Sequence, residues 1–259
     1  MIVLFRSMAK LIKLSAIFSY GAAELIVIRP GTREARAEWL HRFCMRMTRA
    51  MDIAIRVEGV FPEHGVVISN HLGYLDIVSL AAQHRCVFVS KAELAEVPLI
   101  GWMTTMAGTV YVERGRGGSA LRARSGLDAA AGAGLPIVLF PEGTTSNGLS
   151  VLPFHGGALA QAIDVGLPVT AAFIRYRLTQ QNGPGITVDD DLAFWGDEMQ
   201  LFPHVFRLLS LRGIEVNIRI ADGPILFSAV KPDRKEAASE ARAAVLRLGG
   251  MDDAASKPN

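Results

Sequence analysis

Ser69-Asn70-His71-Leu72-Gly73-Tyr74-Leu75-Asp76 is the stretch that decides the fold of this chain. It follows the apolar run Val66-Val67-Ile68, which is typical of the end of a buried strand. It leads into an apolar segment from Ile77 onward whose spacing is that of a helix. The polar residues therefore stand where a strand turns into a helix, which is where α/β proteins place their chemistry.

His71 and Asp76 have the chemistry of a general base and its partner. A histidine can take up a proton near neutral pH, and a carboxylate bonded to its far ring nitrogen fixes the tautomer. Residues five apart lie about 140° apart around a regular helix. The two can therefore meet only if His71 lies in the turn and Asp76 in the first helical turn. The alternative is structural, with Asn70 as the helix cap, Asp76 facing the helix dipole and His71 on the surface.

Outward from this stretch, short apolar strands alternate with helices over most of the chain. The segment from Ile53 to Val57 alternates apolar and polar residues and predicts a half-exposed edge strand. The alternation predicts an α/β fold with a mainly parallel central sheet flanked by helices. Strands are expected at 53–57, 66–69, 86–89, 109–112, 136–140, 169–174 and 214–220, and helices at 98–106, 119–133, 154–165, 197–209 and 233–248.

The first 51 residues differ from the rest in charge. They hold nine Lys and Arg against three acids, whereas the remainder of this 259-residue chain has a net charge of −4. Arg6, Lys10 and Lys13 fall on one stripe of an otherwise apolar helix, which predicts a helix lying in a membrane interface. These charges interrupt the apolar run and argue against a simple spanning anchor. A cleaved signal peptide is the rival interpretation.

A second N-terminal helix is expected from Thr32, with Trp39 and Phe43 on one face and arginines on another, a pattern that suits a headgroup layer or a helix packed on its own domain. Because the positive charge accompanies such apolar faces, a nucleic-acid partner is disfavoured. Cys44 and Cys86 form no metal or disulfide pattern. We expect a membrane-docking helical pair at 1–51, a catalytic domain at 52–250 and a tail at 251–259.

A second polar turn follows the strand expected at 136–140. Pro141-Glu142-Gly143-Thr144-Thr145-Ser146 combines a carboxylate, a glycine and hydroxyls at the carboxyl end of a strand. Such a turn can present N–H groups and hydroxyls to an anion. Read alone, it could equally be a solvated loop.

Taken together, these blocks resemble the glycerolipid acyltransferase family typified by 1-acylglycerol-3-phosphate (lysophosphatidate) acyltransferase. They occur in the order and at the separations of that family, over roughly residues 66 to 175. The matching blocks are Asn70-His71 with Asp76, Lys91-Ala92-Glu93-Leu94 with Pro98 and Gly101, Gly108 to Arg114, Phe140-Pro141-Glu142-Gly143-Thr144, and Leu167-Pro168-Val169.

The resemblance implies transfer of a fatty acyl group from acyl-CoA or acyl carrier protein to a lysolipid hydroxyl, without a cofactor, metal or acyl-enzyme. The acceptor it implies first is 1-acyl-sn-glycerol 3-phosphate, giving phosphatidate in phospholipid biosynthesis. The expected location is the cytoplasmic face of the inner membrane. The implied roles are His71 as general base held by Asp76, Arg114 on the acceptor phosphate, Glu142, Gly143 and Thr144 in the acceptor pocket, and Lys91 as a cation for donor or acceptor phosphates.

Two departures from the family pattern bear on the acceptor. Thr145 stands where many lysophosphatidate enzymes have an arginine, which removes one cation from the expected phosphate site. Thr170-Ala171-Ala172 lacks a proline that is common there. The Thr-Thr-Ser form and the segment from Phe194 to Met199 resemble bacterial relatives that acylate lyso-ornithine lipid. The alternatives are therefore a lyso-ornithine lipid or other lysophospholipid acyltransferase, and a non-catalytic membrane lipid-binding protein.

Overall fold

The computed structural model describes residues 2–112, 119–196, 199–229 and 232–251. Strands and helices alternate along most of them, as the sequence predicts. The strands are β1 (Ile53–Glu58), β2 (Val66–Ile68), β3 (Val87–Lys91), β4 (Val110–Val112), β5 (Ile137–Leu139), β6 (Val169–Leu178) and β7 (Ile214–Ile220). The helices are α1 (Ile2–Ile28), α2 (Arg33–Met51), α3 (Tyr74–Gln83), α4 (Ile100–Met106), α5 (Ser119–Gly132), α6 (Gly156–Asp164), α7 (Val188–Asp191), α8 (Leu201–Ser210) and α9 (Arg234–Gly249), with a 3₁₀ helix at Ala92–Glu96.

The seven strands of the described residues form one sheet in the order β1-β7-β6-β2-β5-β3-β4. All neighbouring strands are parallel except β6 and β7. This confirms the predicted mainly parallel α/β fold, and β1 is an edge strand as expected. Strands β2, β5, β3 and β4 are adjacent and run the same way, so their carboxyl ends lie along one edge of the sheet.

Helices cover both faces of this sheet. Val67 and Ile174 belong to a core cluster shared with α1, α2, α3 and α8. Ile68 and Val169 belong to a second cluster shared with α5, α6 and α9. Because successive side chains of a strand point to opposite faces, these clusters are the two sides of the sheet.

Two elements differ from their predicted bounds. Strand β6 continues to Leu178 rather than ending at Ile174, because its last residues pair with β7. Helix α8 begins at Leu201 rather than at 197 and runs without a break through Pro203 to Ser210. That proline lies in the first helical turn, where its missing N–H costs no intrahelical hydrogen bond. Asp197, the expected start, lies outside the described residues.

The charges of α1 are bound inside the protein to a greater extent than its sequence suggests. Arg6 and Lys10 donate to carbonyl oxygens at the C-terminal end of α8. Glu24 accepts from Arg42 and Arg46 of α2. The expectation that Arg6 and Lys10 form an outward cationic stripe is therefore wrong. By length and composition alone, α1 is apolar enough to cross a membrane.

Candidate active site

The predicted pairing of His71 and Asp76 is present. His71 lies in the turn between β2 and α3, and Asp76 is the third residue of α3. Nδ1 of the histidine is 2.8 Å from Oδ2 of the carboxylate. A carboxylate can only accept a hydrogen bond at this contact, so Nδ1 carries the hydrogen and Nε2 of the neutral ring keeps its lone pair available as a base.

Asp76 is fully buried and receives four hydrogen bonds. Its Oδ2 accepts from the backbone N–H groups of Leu72, at 2.6 Å, and Gly73, at 3.1 Å, in addition to His71. Its Oδ1 accepts from the hydroxyl of Tyr176 on β6. These donors offset the cost of removing a carboxylate from water, so the charge can be kept beside the histidine.

The ring of His71 is oriented by an aromatic neighbour. It stacks on Phe140 at the end of β5, with centroids 4.0 Å apart and planes 13° apart. Phe140 also stacks on Phe88 of β3 at 6.4 Å. The His71 side chain is 17% exposed, so the imidazole is partly shielded but can be reached.

Asn70 does not cap α3, contrary to the structural alternative raised by the sequence. Its side-chain amide donates to the carbonyl of Ile174 at 2.9 Å and accepts from the N–H of Ile174 at 2.8 Å. The amide thus continues the pairing between β2 and β6 after β2 has ended. This contact fixes the start of the turn that carries His71.

Glu142 is buried and binds the backbone. Its Oε1 accepts from the N–H of His71 at 2.9 Å, and its Oε2 accepts from the N–H of Leu152 at 3.2 Å. Burial raises the pKa of Glu142 to about 8, against the opposing effect of the two N–H donors. Through these two hydrogen bonds, the carboxyl group of Glu142 positions the backbone of His71 and the loop that contains Leu152.

The turn after β5 binds the His71 backbone from its other side as well. The N–H of Ser146 donates to the carbonyl of His71 at 2.8 Å. The turn closes through a bond from the N–H of Gly143 to the carbonyl of Phe140, at 3.1 Å. Gly143 has a φ of 64°, a left-handed conformation that favours glycine. Glycine at this position therefore allows the chain to bring Glu142 and Ser146 to the same residue.

Backbone donors differ between the two turns. After β2, the N–H groups of His71, Leu72 and Gly73 already donate to carboxylates. After β5, the N–H groups of Thr144 and Thr145 have no acceptor among the residues that the structure describes. Of the two turns that could bind an oxyanion, the turn after β5 is therefore the one with backbone N–H groups that no described residue accepts from.

The remaining predicted residues that the structure describes lie along the same edge. Lys91 is exposed at the end of β3, and Thr144 is exposed in the turn after β5. Arg114 lies outside the described residues, shortly after Val112 ends β4. Because β2, β5, β3 and β4 are adjacent and parallel, this edge holds the end of each strand that carries a predicted residue.

The site also contains residues that the sequence analysis did not single out. Tyr176 binds Asp76 from a strand one hundred residues away. Tyr74 donates to or accepts from Nδ1 of His204 at 2.9 Å, so this histidine is part of the support behind α3. The N–H of Phe194 donates to the carbonyl of Leu72 at 2.8 Å. The Phe194 segment, which resembles a subset of relatives, therefore contacts the turn that carries His71.

Comparison with known proteins finds acyltransferases. The Acyltransferase family matches residues 52–175. A lyso-ornithine lipid O-acyltransferase of Pseudomonas aeruginosa is 36% identical over 208 residues, which are 80% of this chain and 75% of that protein. A 1-acyl-sn-glycerol-3-phosphate acyltransferase of Neisseria gonorrhoeae is 35% identical over 130 residues, 49% of this chain and 51% of that one.

The fold has a solved counterpart. The crystal structure of the 1-acyl-sn-glycerophosphate acyltransferase PlsC from Thermotoga maritima aligns with a TM-score of 0.59 at 21% identity, over 96% of this chain and 99% of that chain. That likeness concerns the fold, while the Pseudomonas relative carries the family assignment. The family resemblance seen in the sequence is thus confirmed: the chain belongs to the Acyltransferase family.

Proposed function

We propose that this protein acylates the hydroxyl of a membrane lysolipid, with His71 as general base. The observation that carries the proposal is the contact from Nδ1 of His71 to Asp76, which leaves Nε2 as the basic atom at the carboxyl edge of the sheet. A base so oriented can take the proton of an acceptor hydroxyl.

In the proposed reaction, Nε2 of His71 removes the hydroxyl proton as the oxygen attacks the carbonyl of an acyl thioester. A tetrahedral intermediate forms, and its carbon–sulfur bond then breaks. The departing thiolate takes the proton back from His71, so the enzyme ends in its starting state. Asp76 stabilises the imidazolium between the two transfers, and no acyl-enzyme is required.

The turn after β5 supports two further roles in this reaction. The N–H groups of Thr144 and Thr145 are candidates to bind the oxyanion, because the described residues supply them no other acceptor. Glu142 acts as a positioning residue through its bond to the N–H of His71. Gly143 lets this turn form, while Arg114 and Lys91 remain candidates for binding phosphate.

Two acceptors are in question. The sequence resemblance favours 1-acyl-sn-glycerol 3-phosphate. Specific observations favour lyso-ornithine lipid, which carries an ornithine headgroup in place of a phosphate. Thr145 lacks the charge of the usual arginine, the Phe194 segment contacts the catalytic turn, and relatives named for lyso-ornithine lipid match about four fifths of this chain. We propose lyso-ornithine lipid as the second and testable choice of acceptor.

The donor and the location complete the proposal. Acyl-CoA and acyl carrier protein both offer the thioester that the reaction needs. Both are water-soluble, so we place the reaction at the cytoplasmic face of the inner membrane. Residues 1–51 would dock the chain on that membrane, while residues 52–250 would carry the chemistry and 251–259 would form a tail.

The test is a thiol-release assay with purified protein in detergent, acyl-CoA or acyl carrier protein as donor, and each lysolipid as acceptor. We expect His71→Ala to lower turnover by about 10²–10⁴-fold, the usual contribution of general acid–base catalysis. His64→Ala replaces an exposed histidine and is the matched control, which should keep full turnover. Turnover within about tenfold of wild type by a folded His71→Ala protein would refute the base assignment.

Competition between the two acceptors then decides between them. Lyso-ornithine lipid should be consumed in preference if the uncharged Thr145 matters. Preference for 1-acylglycerol 3-phosphate would return the assignment to phosphatidate synthesis. If the wild-type protein binds lysolipid but releases thiol with neither acceptor, it is a non-catalytic lipid-binding protein.

A further inference from the structure

Helix α8 has an outer face that nothing in the described structure covers. Phe202 and Phe206 are 81% and 43% exposed on this face. His204, Leu208 and Leu209 on the inner face are buried against the domain. Two phenylalanines exposed on one face of a ten-residue helix are unusual on a surface that meets only water.

The outer face of α8 is continuous with the exposed apolar surface of α1. Val3, Leu4 and Phe5 near the start of α1 are each more than half exposed. The two helices border a groove of about 430 Å³. Its lining residues are Val3, Leu4, Ser7, Pro203, Phe206, Arg207 and Ser210.

Three cations beside this surface make contacts within the protein, whereas Lys13 is exposed. Arg6 and Lys10 of α1 donate to carbonyls at the end of α8. Arg207 pairs with the buried carboxylate of Asp191. These contacts satisfy both the charges and the orphan carbonyls of a helix end, so they leave the combined outer face of α1 and α8 predominantly hydrocarbon.

We infer that α8 is a membrane-contacting element and forms one bilayer-facing surface with α1, with Phe202 and Phe206 in the hydrocarbon of the lipid. The occupant is a bilayer because the surface continues that of α1, which has the length and composition of a membrane helix. An amphipathic helix binds an interface through such a face. The inference rests on the proposed membrane docking of α1 and extends it to a helix far along the chain.

Helix α8 connects this surface to the proposed active site. On its inner side, His204 contacts the hydroxyl of Tyr74, and Tyr74 opens the helix that carries Asp76. Phe194, whose ring lies 5.2 Å from His204, binds the turn at Leu72 through its backbone. The bilayer surface thus lies one helix away from the proposed base, which suits an acceptor that arrives from the membrane.

The test labels one cysteine introduced on the surface of the full chain. Cys44 and Cys86 are buried, and burial raises the pKa of the Cys44 thiol to about 12, so an introduced surface thiol reacts selectively. Phe202→Cys probes the surface. Leu226→Cys is the matched control, because Leu226 is 92% exposed but lies far from α8. Its neighbour Ile225 donates its N–H to Val169 at the start of β6. Helix α8 instead leads into Ile214 of β7, which pairs with Leu178 at the opposite end of β6.

Each variant is labelled with an environment-sensitive fluorophore and mixed with vesicles of phosphatidylethanolamine and phosphatidylglycerol. We expect the label at position 202 to shift to shorter wavelength and to be quenched by spin-labelled acyl chains. The label at position 226 should do neither. In a flotation assay, Phe202→Ser with Phe206→Ser should bind vesicles about tenfold more weakly than wild type, and Leu226→Ser should bind normally.

Three results would overturn the inference. A label at position 202 that stays in water on vesicle-bound protein excludes α8 from the bilayer while leaving the docking of α1 intact. A wavelength shift that needs no vesicles and grows with protein concentration assigns the face to a second copy of the chain. A wild-type chain that does not float overturns membrane docking altogether. Thiol release in detergent is measured separately, so failure of the proposed catalysis is recognised independently.

Discussion

Asp76 is the residue that connects the turn after β2, helix α3 and strand β6. It receives two backbone N–H groups from its own turn, the imidazole of His71, and the hydroxyl of Tyr176 from β6. Each hydrogen bond restricts the orientation of the carboxylate. The direction from which it meets His71 is therefore set by the fold in the absence of substrate.

Tyr176→Phe tests whether the tyrosine positions Asp76. The change removes one of the four donors and keeps the ring that packs in the core. We expect kcat to fall by about tenfold with little change in KM, since the contact does not touch substrate. The carboxylate, less neutralised by donors, attracts the proton on His71 more strongly. The acidic limb of the pH–rate profile should therefore move to higher pH.

Tyr74→Phe is the control for this experiment, because the Tyr74 hydroxyl bonds to His204 and not to Asp76. It should leave the pH–rate profile in place even if it lowers stability. A Tyr176→Phe enzyme that is less stable but has an unshifted profile would reduce the tyrosine to a core residue.

Glu142→Gln should change how stability depends on pH. Burial raises the pKa of Glu142 from 4.5 to about 8, so the folded state keeps a proton that the unfolded state releases. Stability from this group is complete below pH 4.5 and is lost as pH rises through 8. Glutamine cannot ionise. The free energy of unfolding of wild type relative to the variant should therefore fall between pH 5 and 8, by up to about 1.4 kcal/mol per pH unit.

Urea titrations at several pH values measure this difference. The amide NH2 of glutamine cannot accept, so the variant also leaves one of the two N–H groups, of His71 or of Leu152, without its acceptor, which should add a constant loss that pH does not alter. A stability difference that is the same at pH 5 and pH 8 would show that Glu142 is ionised throughout that range.

Residues close in sequence were the predictable part of the site. Spacing and the strand-to-helix change show how His71 and Asp76 can meet, because a turn and one helical turn place both side chains, and the family resemblance favours this pairing over the structural alternative. Tyr176 could not be found this way. A tyrosine in an apolar strand is typical of a core residue, and the strand predicted from the sequence ends at Ile174, so it does not include Tyr176, which lies on the same face of β6 as Ile174.

At the scale of elements, α1 and α8 are joined through buried polar contacts. Nζ of Lys10 donates to the carbonyl of Leu211 at 2.9 Å and is buried. Lys10→Met keeps most of the apolar stem but leaves this carbonyl without its donor. We expect the free energy of unfolding in detergent to fall by about 1–3 kcal/mol. Lys13→Met, at an exposed position of the same helix, should change it by less than about 0.5 kcal/mol.

Equal stability of the two methionine variants would mean that the cost of burying the Lys10 ammonium cancels its contact. The contrast between Lys10 and Lys13 also explains why the stripe of cations on α1 predicts a membrane interface from the sequence. Lysines spaced by three and four residues lie on one side of a helix whether that side meets headgroups or another helix. Only the tertiary contact with α8, some two hundred residues away, distinguishes the two cases.

At the scale of the whole molecule, the sheet order brings the predicted blocks together. The alternation of strands and helices predicts a parallel sheet, and carboxyl ends of parallel strands share an edge. It does not predict that β2 lies between β5 and β6, which is what lets Glu142 reach His71 from one side and Tyr176 reach Asp76 from the other. Long-range pairing of this kind leaves no mark on local periodicity.

The boundary expected at residue 51 can be tested by truncation. Removing residues 1–28 should yield an unstable, aggregating chain and not a soluble enzyme, because α1 shares the core of the domain. Leu14 and Leu25 are buried in the cluster that includes Phe43, and Phe18 contacts the Phe43 ring at 5.2 Å. Each buried leucine contributes about 1.5–3 kcal/mol. Thermal unfolding and size-exclusion chromatography measure the effect.

Removing residues 252–259 is the control for this deletion, since α9 has already ended at its glycine cap, Gly250. That shorter chain should unfold at the temperature of the full protein. A chain lacking residues 1–28 that stays monomeric and releases thiol at the full rate would make α1 a detachable anchor. The expected loss of folding instead means that α1 completes the core with one face and docks with the other, so that membrane binding and a folded active site depend on the same helix.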